Sequence, residues 1–133
     1  MFGWLFGIKT DRFYGQGRGS IKPYTRTTIE VDWKNIKVLI AGKSPSQLRQ
    51  ALITADKCLD NALRDMVTGE TMGERLRNSP HLFEKRQYDK IWNAHKTRNA
   101  LVHESGYEPP SHIILTSIEN LKEALNSLGI RNI

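Results

Sequence analysis

Near the end of a helical pattern, the stretch KTRNALVHESG (Lys96–Gly106) carries Arg98, Asn99 and His103, with four residues between the arginine and the histidine. A guanidinium is a permanent cation whose planar fork matches a phosphate. An imidazole trades protons near neutral pH. Together they suit phosphodiester cleavage. His103 would serve as general base toward a ribose 2′-hydroxyl or as acid for the leaving group, while Arg98 holds the phosphate and offsets charge in the transition state. The same two residues also have a plain structural use, as cations favoured at the negative end of a helix dipole. Other chemistries find less material. His95 and His103 are eight positions apart, about 12 Å along a helix, and there is no His-Glu-x-x-His and no cysteine pair, so neither a metal nor another cofactor is expected. Cys58 has no histidine near it in sequence and reads as a small core residue. A single cysteine cannot form an internal disulfide, which suits a reducing cytoplasm.

A long helix must present these groups. The pattern predicts one from Phe83 or Glu84 to Glu104, with Tyr88, Ile91, Trp92 and Val102 on its apolar face. At about 100° per residue, His95 and Asn99 fall on that face. His95 then reads as a satisfied, part-buried histidine, and Asn99 as a polar group in need of partners. Arg98 and His103 sit on the two shoulders, about 140° apart.

Earlier in the chain, Thr27-Thr28-Ile29-Glu30 fits a capping box, and Trp33, Ile36 and Ile40 follow it before Gly42. Ser44, Pro45 and Gln47 mark a second helix start. Its stripe is Leu48, Leu52, Ala55, Leu59, Ala62 and Met66. Arg49, Asp56, Lys57, Asp60 and Arg64 lie opposite and read as a solvated face. GETMGERL (Gly69–Leu76) suggests a turn and a short helix capped by Thr71. It lacks the Lys-Ser/Thr of a phosphate loop. After Pro109-Pro110, Ser111 can cap a last helix with Ile114, Ile118, Leu121, Leu125 and Leu128, ended by Gly129. The expected fold is all-α, an antiparallel bundle of four main helices plus one short helix.

At 133 residues there is room for one core. The net charge is +6, and the excess is uneven: Met1–Lys43 holds eight Lys/Arg against three Asp/Glu. Residues 1–26 read as a flexible basic arm ahead of a helical domain, residues 27–133. Arg12, Arg18, Lys22 and Arg26, interleaved with Tyr14 and Tyr24, could stack on single-stranded RNA or serve as plain linker. Met1–Ile8 is apolar; packing on the body or disorder is expected ahead of contact with a membrane surface, because eight residues bury too little for stable anchoring. No run approaches the roughly 20 residues that span a bilayer, and no leader with a cleavage site is recognised, so a cytoplasmic location is expected.

Arginine, a polar residue, a few more and then histidine, on the penultimate helix of a short helical chain, resembles the signature of HEPN domains. The resemblance implies an all-helical domain, often dimeric, that in many members cleaves RNA without a metal. In this reading Arg98 and His103 are catalytic, and Asn99 orients the site with Glu104 and His95 in support. The segment WNAHKTRNALVHE also resembles small bacterial proteins that share an Ala-His-Lys-x-Arg-Asn core and an upstream Gly-Glu-Thr-Met-Gly-Glu, with no activity attached. One departure is the absence of a tyrosine two positions after the histidine. That position is Ser105, and the next tyrosine is Tyr107, so control through a modified tyrosine is not expected. The expected function is metal-independent endoribonuclease activity leaving 2′,3′-cyclic phosphate ends. The partners would be RNA, a second copy of the chain and a protein partner or antitoxin. A homodimer follows from the geometry as well: opposite shoulders of one helix converge poorly on one phosphate, whereas two such helices about a twofold axis do so well. The alternative is a non-catalytic helical interaction module, or one that binds a nucleotide or RNA.

Overall fold

Ser44, Pro45 and Gln47 start the helix around which the others pack. In the computed structural model, which describes residues 19–133, the Ser44 side chain accepts from Gln47 N–H at 3.2 Å and the Gln47 side chain accepts from Ser44 N–H at 3.3 Å. The apolar start Met1–Ile8, and Arg12, Tyr14 and Arg18 of the arm, lie outside the described residues. The chain is all-helical where described, in the order α1 (Pro23–Gly42), α2 (Pro45–Met66), α3 (Met72–Arg77), a 3₁₀ turn (Pro80–Leu82), α4 (Lys85–His103) and α5 (Ser111–Ser127). Short connections fold α1 back on α2 and α4 back on α5, and α2 touches all four other helices. Ile29, Trp33, Ile36, Leu52, Leu59, Ile91, Leu121 and Leu125 form the core with the tail residues Ile130 and Ile133.

The first helix corrects an expectation. It begins at Pro23, with no cap at Thr27. The hydroxyls of Thr27 and Thr28 donate back to the carbonyls of Pro23 and Tyr24, at 3.1 and 3.0 Å, as they do inside a helix. Pro23 at the first helical position needs no N–H partner, and the N–H of Lys22 is held by Asp65 at 2.9 Å. The last four residues of the expected arm are therefore the first turn of α1, and Arg26 donates from Nη1 to Gly129 O at 3.0 Å. The other end falls at Gly42, as expected, but the residue that takes the left-handed conformation is Lys43, with φ 64°. Glycine suits position 42 because a Cβ there would run into the Gln47 amide of the capping box.

Thr71 caps α3, accepting from Glu74 N–H at 3.1 Å. Tyr88 ties α4 to the end of α3 by donating to Leu76 O at 2.6 Å. The last turn of α4 leaves cover: Val102, expected on the apolar face, is 44% exposed. Ser111 makes no side-chain cap, since Pro110 takes the cap position of α5. Gly129 does end that helix, with φ 101°. Ile130 N–H reaches back to Leu125 O at 2.9 Å, the bond that closes a helix through a left-handed glycine.

Cys58 is fully buried. Burial, with the Asp32 carboxylate beside it, pushes its thiol up to about 12. The thiolate is the reactive form, so a thiol reagent should label Cys58 in native protein far more slowly than in denaturant. Equal rates would show that α1 and α2 open readily.

Candidate functional site

Of the α2 charges expected to face solvent, Lys57 and Arg64 do, with side chains 61% and 62% exposed, whereas Asp56 and Asp60 lie in the floor of a site. Asp56 is only 3% exposed. Because α2 is the helix that all the others touch, this part of its polar face is covered by α3 and α4. An open pocket of about 530 Å³ lies where these three helices meet. Asp56, Lys57 and Asp60 reach it from α2, Thr71, Met72, Gly73 and Arg75 from α3 and its cap, and His95, Arg98 and Asn99 from α4.

Its polar groups form one connected chain. His95 Nδ1 lies 3.2 and 3.1 Å from the two oxygens of Asp56. His95 Nε2 faces Asn99 Nδ2 at 3.3 Å. Arg98 Nη1 donates to Asn99 Oδ1 at 2.9 Å. Arg98 Nε is buried without a hydrogen-bond partner and lies 3.7 Å from Asp56 Oδ2. Trp92 stands edge-on against the imidazole, with ring centres 6.0 Å apart. Beside this chain, Arg75 clasps Asp60 through Nε at 2.6 Å and Nη2 at 3.1 Å, and donates from Nη1 to Gly69 O at 2.7 Å. A Cβ on Gly69 would crowd both the Arg75 side chain and its backbone, and the glycine has φ +141°. That conformation and that closeness both favour glycine.

Burial raises the Asp56 carboxyl above its usual range; the His95 hydrogen bond and the charges of His95 and Arg98 oppose the shift, and Asp60 adds to it. The sign follows from linkage. A carboxyl whose folded pKa is raised stabilises the fold fully below its unfolded pKa, and that contribution is lost as pH rises through the folded value. Asp56→Asn should remove this loss while its amide oxygen still accepts from His95. Urea titrations just above the ordinary carboxylate range should then show a flatter fall of stability with pH than in the wild type. An unchanged slope would assign the dependence to other groups.

The structure places the residues singled out from the sequence unequally. It joins Arg98, Asn99 and His95 in one network. His103 and Glu104 are exposed at the end of α4, and neither lines the pocket. A single copy of the chain therefore does not bring Arg98 and His103 into one cleft. Lys22 is exposed, and Arg26 uses one of its N–H donors on Gly129 O, just past α5. No pattern in the sequence marks Arg75 for the site, and the only signal at the two aspartates is the four-residue spacing of Asp56/Asp60, which His95/Asn99 repeats.

Among the described residues no three His, Cys, Asp or Glu side chains gather as a metal site would need, and no helix is long and apolar enough to cross a membrane. Comparison with protein-family models, with curated proteins and with solved structures finds no match.

Proposed function

We propose that this chain is an RNA-binding protein of the HEPN type that cleaves phosphodiester bonds without a metal, working as a homodimer. One observation carries the reading. Asn99, directly after the arginine, holds the half-buried Arg98 guanidinium in a fixed pose at the pocket, and His103 follows at the exposed end of the same helix. Arg98 retains donors for a phosphate. His103 has no hydrogen-bond partner among the described residues and can take or give a proton. In the reaction, His103 accepts the proton of a ribose 2′-hydroxyl and the 2′-oxygen attacks phosphorus. The bond from phosphorus to the 5′-oxygen breaks, and the leaving oxygen takes up a proton from water. The products carry a 2′,3′-cyclic phosphate and a 5′-hydroxyl. A second copy would supply the complementary arginine and histidine.

A non-catalytic module that binds RNA or a nucleotide is favoured by a different observation. Arg98 is already engaged by Asn99 and Asp56, and His103 lies outside the pocket that Arg98 lines. A protein partner or antitoxin would fit either reading.

The experiment is incubation of pure protein with structured RNA in excess chelator, beside an Arg98→Ala/His103→Ala variant. Wild-type cleavage with cyclic phosphate ends, absent in the variant, is the expected result. Tight binding without cutting would transfer the reading to the non-catalytic module, and absence of both would reject RNA as the ligand.

A further inference from the structure

The hydrogen bonds between Asp56 and Arg98 run in one direction. Arginine can only donate, so the Asn99 atom that meets Arg98 Nη1 is its carbonyl oxygen. The Asn99 amide nitrogen then faces His95 Nε2, and this nitrogen too can only donate. Nε2 must be the unprotonated acceptor, the ring proton sits on Nδ1, and it is donated to Asp56. Arg98 thus dictates the tautomer of a histidine to which it makes no hydrogen bond. The reverse also holds. A proton on Nε2 would confront the Asn99 amide nitrogen, donor against donor. The amide would have to turn over and offer its oxygen to His95, which leaves its nitrogen facing Arg98 and breaks that clasp.

We infer that His95 and Asn99 are positioning residues for Arg98, joined in a relay in which drawing the Arg98 guanidinium onto a phosphate is accompanied by reversal of the Asn99 amide and uptake of a proton at His95 Nε2. The phosphate half of this inference rests on the proposed role of Arg98; the relay does not. The proton comes from solvent, and no bond other than hydrogen bonds is made or broken. The charged groups that line the pocket with the imidazole bear on the balance. Asp56 and Asp60 of α2 favour the second proton, while Lys57 of α2 and Arg98 of α4 oppose it. Arg75 of α3 also opposes it, but its charge is largely matched by its clasp on Asp60. Asp56, 3.1 Å from Nδ1, would pair with the imidazolium once it forms. A phosphate drawn onto Arg98 adds negative charge on the same side. By linkage, phosphate affinity rises as pH falls through the titration of His95, because the bound state holds one more proton.

The test reads the ring nitrogens of His95 by NMR in the full, nitrogen-15-labelled chain, with His95→Gln to assign the signals. In ligand-free wild type at neutral pH, Nδ1 should carry the proton and Nε2 should not. A protonated Nε2 there would overturn the relay. The pH midpoint of His95 is then followed in wild type, Arg98→Ala, Asn99→Ala and the double variant. Losing Arg98 removes a cation, which raises the midpoint in either background. Only with Asn99 present does it also free the amide to accept from Nε2. The shift should therefore be larger in the Asn99 background, by on the order of tenfold in proton affinity, one hydrogen bond to a charged group. Equal shifts would reduce the relay to plain charge. Asn99→Ser, whose hydroxyl is too short to bridge both partners, gives an independent second background. Inorganic phosphate added to the wild type should raise the doubly protonated fraction of His95. Phosphate that binds without proton uptake overturns the coupling, and phosphate that does not bind at all overturns Arg98 as the contact. RNA cleavage enters none of these readings.

Discussion

Arg75→Met should destabilise the domain by about 3 kcal/mol, the lower part of the range for breaking a buried ion pair. The Arg75 side chain is 6% exposed and its partner Asp60 is 17% exposed. Removing the guanidinium leaves a carboxylate and the Gly69 carbonyl without their donors. The lower part of the range applies because Arg64 remains 3.5 Å from Asp60, although that arginine is itself largely exposed. Urea unfolding measures the loss. The double variant Arg75→Met/Asp60→Leu should recover much of it, because the main cost is the stranded charge, not the missing attraction. A single variant as stable as wild type would show that Arg75 merely decorates the surface. The effect should also reach the site, since Arg75 anchors α3 and the turn before it, where Thr71, Met72 and Gly73 line the pocket.

The second large effect is on rate. If the proposed nuclease reading holds, His103→Ala should lower cleavage by roughly 10²–10⁴-fold, the usual contribution of an acid–base group, with melting unchanged because the side chain is exposed. Arg98→Ala should lower it too, at some cost in stability from the network it belongs to. His103 and Arg98 do not share a pocket in one copy, so the reading requires two. Sedimentation should show a dimer. Arg98→Ala and His103→Ala chains, mixed after dissociation, should regain part of the lost cleavage if each contributes the residue the other lacks. A wild-type chain that stays monomeric and still cuts would exclude the composite site. A dimer that cuts no RNA would leave the non-catalytic module standing.

Much of the fold is legible in the order of residues, because helix starts and apolar stripes are local. Ser44, Pro45 and Gln47 determine the start of α2 within four positions, and the apolar stripe of α5 needs only the helical period to be seen. Where local signals compete, the sequence misleads. Thr27 and Glu30 have the spacing of a cap, yet the free energy favours a helix that starts at Pro23, where a proline costs nothing and Asp65 of α2 holds the Lys22 N–H. That partner is 43 positions away, and no local pattern announces it. The same division runs through the site. Arg98, Asn99, His95 and His103 stand out because they share one helix. Asp56 and Asp60 look like part of a solvated face, since a helical wheel shows which residues share a face and not what covers it. Only packing decides that α3 and α4 cover this face. Once Asp56 is cut off from water, its carboxylate needs partners at hydrogen-bond distance. His95 supplies the hydrogen bond and Arg98 a nearby charge, and these distances turn separate polar residues into one connected group.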